Sequence, residues 1–250
     1  MNSSTASTKE IPVIILAGGM GTRLHSVVGD RPKVLAPIIG RPFLLWVLER
    51  LARDGFLRFV LAVGYKAVQI KDCLGDGSRW GWQISYAVEP ELLGTAGAIR
   101  NTLFAVGVSA ECGSPVLVVN GDTYLDVSLR PLVAYHCRHA SFATLGLRQV
   151  DNVSRFGSVK ISQSGRVLSF SEKQPSISVG LVSVGAYVLQ PRIFNYIPTG
   201  CAISLERETF PCILAANEVV MGMVLDGPFI DIGTVEGYRK MEKYALEHSN

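Results

Sequence analysis

The stretch "IPVIILAGGMGTRLHSVVGDRPKVLAPI" (residues 11–38) decides how the chain is read. A short, β-branched apolar run stops at Ala17, which suits a strand buried on both faces. Glycine-rich, side-chain-poor chain follows, with Gly18, Gly19 and Gly21, then Thr22 and Arg23, and ten residues later Lys33. Outward from this stretch the same alternation repeats. Strand-like runs at 59–65, 83–89 and 115–122 are separated by helical patterns at 41–55, 66–77 and 95–106. Strands alternating with helices predict βαβ units and a largely parallel sheet. After about residue 140 the pattern changes. Runs at 143–150, 157–162, 166–173 and 179–190 read as strands of a more antiparallel lobe, with "SQSG" (162–165) as a hairpin turn. Helical stretches at 204–217 and 234–248 close the chain.

The 250 residues are enough for one α/β domain with a lobe. The reading is a flexible N-terminus over 1–10, then one domain over 11–250, with a largely parallel half at about 11–140 and a more antiparallel half at about 141–250. Hydrophobic content of 48% against 18% charged residues supports a packed core rather than disorder. The net charge of +3 is spread along the chain, so it forms no basic stripe for nucleic acid but tolerates an anionic small ligand. Five cysteines without CxxC spacing suit reduced thiols in the cytoplasm. No apolar run is long enough to span a bilayer.

In a parallel α/β sheet, ligands sit beyond the carboxyl ends of the strands. Glycines there let backbone approach a ligand, and exposed amides hold phosphate oxygens. Arg23 and Lys33 add the charge a polyphosphate needs. "GMGTRL" has Leu24 where a dinucleotide fingerprint needs its third glycine, and no GK[ST] follows, so neither known phosphate loop fits. A tight turn whose glycines serve geometry alone stays open on the loop by itself.

The pattern "LAGGMGTRL…RPKVLAPI" resembles the signature of the sugar-1-phosphate nucleotidylyltransferases. The segments "YAVEPELLGTAGAI" (86–99), "VVNGDTYLD" (118–126), "FSEK" (170–173) and "FIDIGT" (229–234) follow in that family's order over almost the whole chain. Within it, "SVVGDRPKVLAPI", "VGYKA", "SLERETFP" and "IDIGT" are most similar to the D-glycero-α-D-manno-heptose 1-phosphate guanylyltransferases, with the mannose-1-phosphate guanylyltransferases close by. The resemblance implies a Rossmann-like three-layer α/β sandwich with a mixed, mostly parallel central sheet and a small antiparallel lobe. It implies the reaction of an NTP with a sugar 1-phosphate to give an NDP-sugar and pyrophosphate, with Mg²⁺ as cofactor, a nucleotide-binding half at about 11–140 and a sugar-phosphate-binding half at about 141–250; a homo-oligomer stays open.

The resemblance also assigns residues. Arg23, Lys33 and Asp122 would carry the chemistry. Leu16, Ala17, Gly18, Gly19, Gly21, Thr22, Arg23, Glu89, Gly94, Thr95, Asn120 and Gly121 would bind the nucleotide, with the free amides of "GTAG" (94–97) meeting ribose or base. Gly157, Glu172, Lys173, Ser183 and Gly185 would bind the sugar phosphate. Asp122 and Asp231 would hold the metal. By residue type alone, Asp122 also fits a turn after Asn120–Gly121, and Asp231 a helix cap, although Thr234 is better placed for that. The chain departs from the family pattern at Gln174 (usually proline), Ser183 (usually asparagine), Val235 and Gly237.

Glu89 bears on the base. A carboxylate only accepts hydrogen bonds, and guanine offers two adjacent donors, so Glu89 favours GTP among the triphosphates. Three other features weigh little. "HCRH" (136–139) lacks the partners of a zinc site and reads as the end of an amphipathic helix. Ser204 reads as an N-cap with Glu206 in the first turn, in a segment that the resemblance places beside the sugar pocket without a firm role, and Asp126 reads as structural. A non-catalytic nucleotide-sugar sensor is the contrasting function class, but such a protein would be expected to lose the charged residues retained here. A glycosyltransferase would want a DxD motif, which "DTYLD" is not.

Overall fold

The computed structural model describes residues 11–153, 157–171 and 178–248. The N-terminal segment expected to be flexible therefore lies outside the described residues, as do Glu172, Lys173 and Gln174. In chain order the elements are β1 (Val13–Leu16), α1 (His25–Val28), β2 (Pro37–Ile38), β3 (Arg41–Pro42), α2 (Phe43–Arg53), β4 (Arg58–Val63) and α3 (Ala67–Leu74). Then come β5 (Gln83–Val88), α4 (Gly94–Ala105), β6 (Val116–Asn120), β7 (Thr123–Leu125), α5 (Arg130–Arg138) and β8 (Ala143–Val150). The rest are β9 (Ser158–Ile161), β10 (Val167–Ser171), β11 (Gly180–Leu189), α6 (Phe210–Ala215), β12 (Val220–Val224), β13 (Phe229–Asp231) and α7 (Val235–His248).

Nine strands form one mixed sheet. Its heart is the parallel run β6–β1–β4–β5. β11 adds to β6 antiparallel and carries β9–β10 and β8–β12 beyond it. The apolar run of β1 is explained by its central place, because alternate residues enter different layers. Val13 and Ile15 pack with α2 residues Phe43, Leu44 and Leu48. Ile14 packs on the opposite face with Ile99 and Leu103 of α4. Leu117 and Val119 of β6 divide from Val116 and Val118 in the same way.

α2 buries one stripe and ends where the sequence predicts. The Gly55 amide donates to the Ala52 carbonyl at 2.9 Å with φ at +86°, the left-handed stop that glycine supplies. The stretch 204–217 differs from expectation. Its first turn, Leu205–Thr209, is π-helical, and α6 begins only at Phe210. β7, β12, β13 and the β2–β3 pair were not expected. They are two to five residues long; β7, β12 and β13 owe their form to partners far away in sequence, and β2–β3 is a tight local hairpin. Among the described residues, no helix is long and apolar enough to cross a membrane.

His136, within "HCRH", belongs to the core and not to a metal site. It sits on α5 with no exposure. Its Nδ1 meets Thr144 Oγ1 at 3.0 Å and its Nε2 meets Gln190 Nε2 at 3.1 Å. Gln190 can only donate there, so the ring is neutral with its proton on Nδ1. Burial lowers its pKa to about 4, against about 6.5 when exposed. A depressed histidine contributes stability that is complete above the unfolded value and lost as pH falls through the folded one. We therefore expect unfolding free energy to drop by up to about 3 kcal/mol between pH 6.5 and 4 through this residue. Urea melts of His136→Gln should show that slope removed relative to wild type, whatever the variant's absolute stability.

Candidate active site

β1 lies between β4 and β6, so the chains leaving β1 and β6 diverge at the point where the strand order reverses. The glycine loop leaves β1 there, and Asn120–Gly121–Asp122 leaves β6. The Gly121 amide donates to the Leu16 carbonyl at 2.9 Å. A Cβ on Gly121 would come within 2.8 Å of that oxygen, so the approach needs glycine. Gly21 has φ at +62°, and a Cβ on it would stand 2.6 Å from Lys33 Cβ. The loop thus folds back against the Lys33 stem, and the Lys33 ammonium forms an ion pair with Asp122.

Two clefts open from this junction. One, of about 300 Å³, is lined by Leu16, Gly18, Gly19, Gly94, Thr95 and Asn120, with Glu89 set into its wall and Asp122 at its end. Glu89 is 7% exposed. Its Oε2 accepts from the Leu93 amide at 3.2 Å, and its Oε1 lies where a Cβ on Gly18 would be, 2.6 Å away. Burial raises the Glu89 pKa, and the Leu93 amide pulls against that rise. Ala17, Gly21, Thr22 and Gly121 do not line either cleft. Ala17 and Gly121 act through backbone, the Ala17 amide donating to Ala62 at 2.9 Å.

The free amides expected at 94–97 are in part spent. The Ala96 amide donates to the Ile203 carbonyl at 2.9 Å, and Thr95 Oγ1 accepts from the Leu205 amide at 2.8 Å. A Cβ on Gly94 would lie 2.5 Å from the Ile203 oxygen. This helix start therefore anchors the 203–205 segment, and a helix N-terminus satisfied by protein has that much less to offer a ligand.

The second cleft, of about 250 Å³, shares Thr95, Asn120 and Asp122 with the first. It gathers Arg23, Gly157, Ser183, Gly185 and Asp231 from four separate parts of the chain. β13 pairs with β7 so that Asp231 faces Thr123, and the Ile232 amide donates to the Asp122 carbonyl at 3.0 Å. The two carboxylates thus come from adjacent strands. Asp231 Oδ1 accepts from the Gly233 amide at 2.6 Å, and a Cβ on Gly233 would be 3.5 Å from Arg23 Nη2, which puts the guanidinium beside this turn. Asp231 does not cap α7. Thr234 does, its hydroxyl accepting from the Gly237 amide at 3.2 Å. Among the described residues no three His, Cys, Asp or Glu side chains assemble into a metal cage. Two carboxylates without nitrogen or sulfur partners fit a hard cation that takes its other ligands from phosphate and water, as Mg²⁺ does.

Tyr187 lines this cleft without having been assigned from the sequence, and Glu206 lines it from a segment that the resemblance put beside the sugar pocket without a role. β11 slips register against β8 between Ser183 and Tyr187, a bulge with Gly185 at φ +72°. Ser183 Oγ accepts from the Gly185 amide at 3.3 Å and donates to the Tyr187 hydroxyl at 3.2 Å. Tyr187 donates in turn to Glu206 Oε1 at 2.6 Å. Burial, with the Glu206 carboxylate next, holds the Tyr187 phenol well above its usual pKa, so it remains a donor. Ser204 caps its turn as expected, accepting from the Arg207 amide at 3.2 Å, but Glu208 rather than Glu206 makes the return bond to the Ser204 amide, at 2.7 Å. Glu206 is left free to line the cleft. Asp126 lies away from it, paired to Arg50 at 3.2 Å and to the Tyr244 hydroxyl, a structural role as expected.

Residues 12–248 match the family model described as nucleotidyl transferase. The chain is similar to D-glycero-α-D-manno-heptose 1-phosphate guanylyltransferase of Campylobacter jejuni, 37% identical over 228 residues, or 90% of this chain and 96% of that protein. It is also similar to mannose-1-phosphate guanylyltransferase of Mycobacterium tuberculosis, 33% identical over 93% of this chain, though it spans only 64% of that protein's length. Among solved structures, HddC from Yersinia pseudotuberculosis, complexed with GMP-PN, superposes with a TM-score of 0.80 at 34% identity, covering 94% of this chain and 99% of that one.

The glycine at the bulge gives a stability test. A Cβ on Gly185 would come 2.4 Å from Asn120 Nδ2, at a positive φ. Gly29 also has positive φ, at +60°, but nothing within 4 Å. Gly29→Ala should cost about 1 kcal/mol for the backbone alone. Gly185→Ala should cost clearly more in the same denaturant melt, since Asn120 must move as well.

Proposed function

The chain belongs to the nucleotidyl transferase family, and from that premise we propose that it is a guanylyltransferase. It transfers a guanylyl group from GTP to a sugar 1-phosphate, D-glycero-α-D-manno-heptose 1-phosphate being the favoured acceptor, and releases pyrophosphate. The observation that carries the base is the buried Glu89 carboxylate in the wall of the glycine-loop cleft. It accepts only, and guanine N1–H and the 2-amino group are two donors side by side. Uracil and thymine would turn a carbonyl toward it.

The acceptor needs no general base, because a sugar phosphate is already an anionic nucleophile. Catalysis rests on alignment and on offsetting repulsion between anions. The glycine-loop cleft takes the triphosphate, and the cleft with Ser183, Gly185 and Glu206 takes the sugar phosphate. They meet at Asp122, where the α-phosphorus would be attacked in line. Lys33 would offset charge on the α-phosphate; the motif gives Arg23 the departing pyrophosphate, although its guanidinium lies in the second cleft beside the Asp231 turn. Asp122 and Asp231 would hold Mg²⁺, which supplies charge neutralisation and a template for the phosphate oxygens. Lys173 and Glu172 are proposed, from the motif alone, to contact the sugar phosphate. The five cysteines are free and suit a reducing cytoplasm. A second reading, mannose 1-phosphate as acceptor, is favoured by the similarity to the mycobacterial protein.

Pyrophosphate release, measured with each NTP against a panel of hexose and heptose 1-phosphates, tests both readings. GTP with the heptose phosphate should be fastest, and equal use of UTP or dTTP would overturn the base assignment. Asp122→Asn should lose ~10³-fold or more in kcat while remaining folded. Glu89→Gln should lose roughly 10–100-fold in kcat/KM for GTP, the worth of a charged hydrogen bond. Because burial raises the Glu89 pKa, wild-type kcat/KM for GTP should fall on the acid side as the carboxylate gains its proton. That limb should be absent from the Glu89→Gln profile.

A further inference from the structure

Lys33 and a divalent cation compete for one carboxylate. The Lys33 ammonium is paired with Asp122 Oδ2, and the two side chains are only 13% and 29% exposed, so water screens the pair incompletely. The lysine is also held in place. It opens a tight 3₁₀ turn, Lys33–Leu35, whose other residues are buried, and Gly21 packs against its stem. The second carboxylate, Asp231, is engaged by the Gly233 amide with Arg23 beside it. A cation that used both carboxylates would have to displace the ammonium from Asp122 or sit within a few ångströms of it, against Coulomb repulsion.

A nucleotide removes this obstacle. The triphosphate enters the cleft that ends at Asp122, and its α-phosphate offers the ammonium an anionic partner in exchange for the carboxylate. We infer that Lys33 makes metal binding conditional on nucleotide: Asp122 is released to the cation only when phosphate takes the lysine, so the metal enters with GTP and not before it. This rests on the Mg²⁺ reading of Asp122 and Asp231 given above. It adds a second role for Lys33, as the residue that sets the order of assembly.

The test is Mn²⁺ binding to the full chain without nucleotide, followed by the loss of the free-ion EPR signal. Wild type should bind weakly. Lys33→Met and Lys33→Gln, each checked by circular dichroism and melting temperature, should bind about tenfold more tightly or better, since one ion pair of this kind is exchanged for a metal ligand. Lys33→Arg, which keeps the charge, should show no gain. Adding Asp122→Asn to Lys33→Met should abolish the gain. If Lys33→Met gains nothing, while Mn²⁺ uptake by the wild type with GTP still depends on Asp122, the ordering role is wrong and the metal reading stands. If Asp122→Asn alters Mn²⁺ uptake neither in the Lys33→Met background nor with GTP, both are wrong.

Discussion

The hydrogen bond from the Gly121 amide to the Leu16 carbonyl ties the ends of β1 and β6 together, and the rest of the site hangs from it. It forms only because residue 121 has no side chain. With the two strand ends pinned, Asp122 emerges against the glycine loop, where Lys33 meets it. Asn120, one residue earlier, fills the space that Gly185 leaves in β11. The Asp122 carbonyl then receives the Ile232 amide and brings Asp231 alongside. One backbone contact at the centre of the sheet therefore places residues from positions 16 to 232.

The elements legible in the sequence were those whose form is set by their own pattern. β1, β4 and β6 read from apolar runs, because strands buried on both faces show little else, while β5 lies at the sheet's edge with Gln83, Ser85 and Val88 exposed. α2 read from its stripe and its closing glycine. The glycine loop, Asp122 and Asp231 read through a spaced signature. What stayed hidden is non-local. β7 and β13 are three residues each and exist because they pair with one another across the chain. The bulge in β11 breaks the strand's two-residue period, so nothing marked Tyr187 as facing the cleft. Glu206 read as an ordinary first-turn acid because a π-helical turn cannot be told from an α-helical one by composition. The Ala96 amide read as free because its partner, the Ile203 carbonyl, lies about a hundred residues on.

Charge in the site is closely matched. Arg23 and Lys33 stand against Asp122 and Asp231, with Glu89 apart in the wall of the glycine-loop cleft. Such a cleft is not a cationic trap for any phosphate. Its cations already have partners or neighbours of opposite sign, so an anion must be the right shape to replace them. Fit then matters more than net attraction, as it does for discrimination between triphosphates that carry the same charge.

The bulge at Ser183–Tyr187 has a consequence for how such a chain can change over generations. In a regular ladder each residue is tied to a partner across the strand, and a substitution disturbs the neighbour as well. Between Ser183 and Tyr187 β11 is out of register with β8; Ala186 keeps Val119 of β6 as its partner, while Val184 and Gly185 are released from that cross-strand pairing. They also face the cleft. Release from β8 does not make them free to vary: Val184 is buried in the core and Gly185 is fixed by Asn120, so the bulge itself is as constrained as Gly121 on the neighbouring strand end. Under the proposed function, a lineage that changed its sugar would do so at side chains such as Ser183 and Glu206, and leave the bulge that carries the wall of the cleft in place.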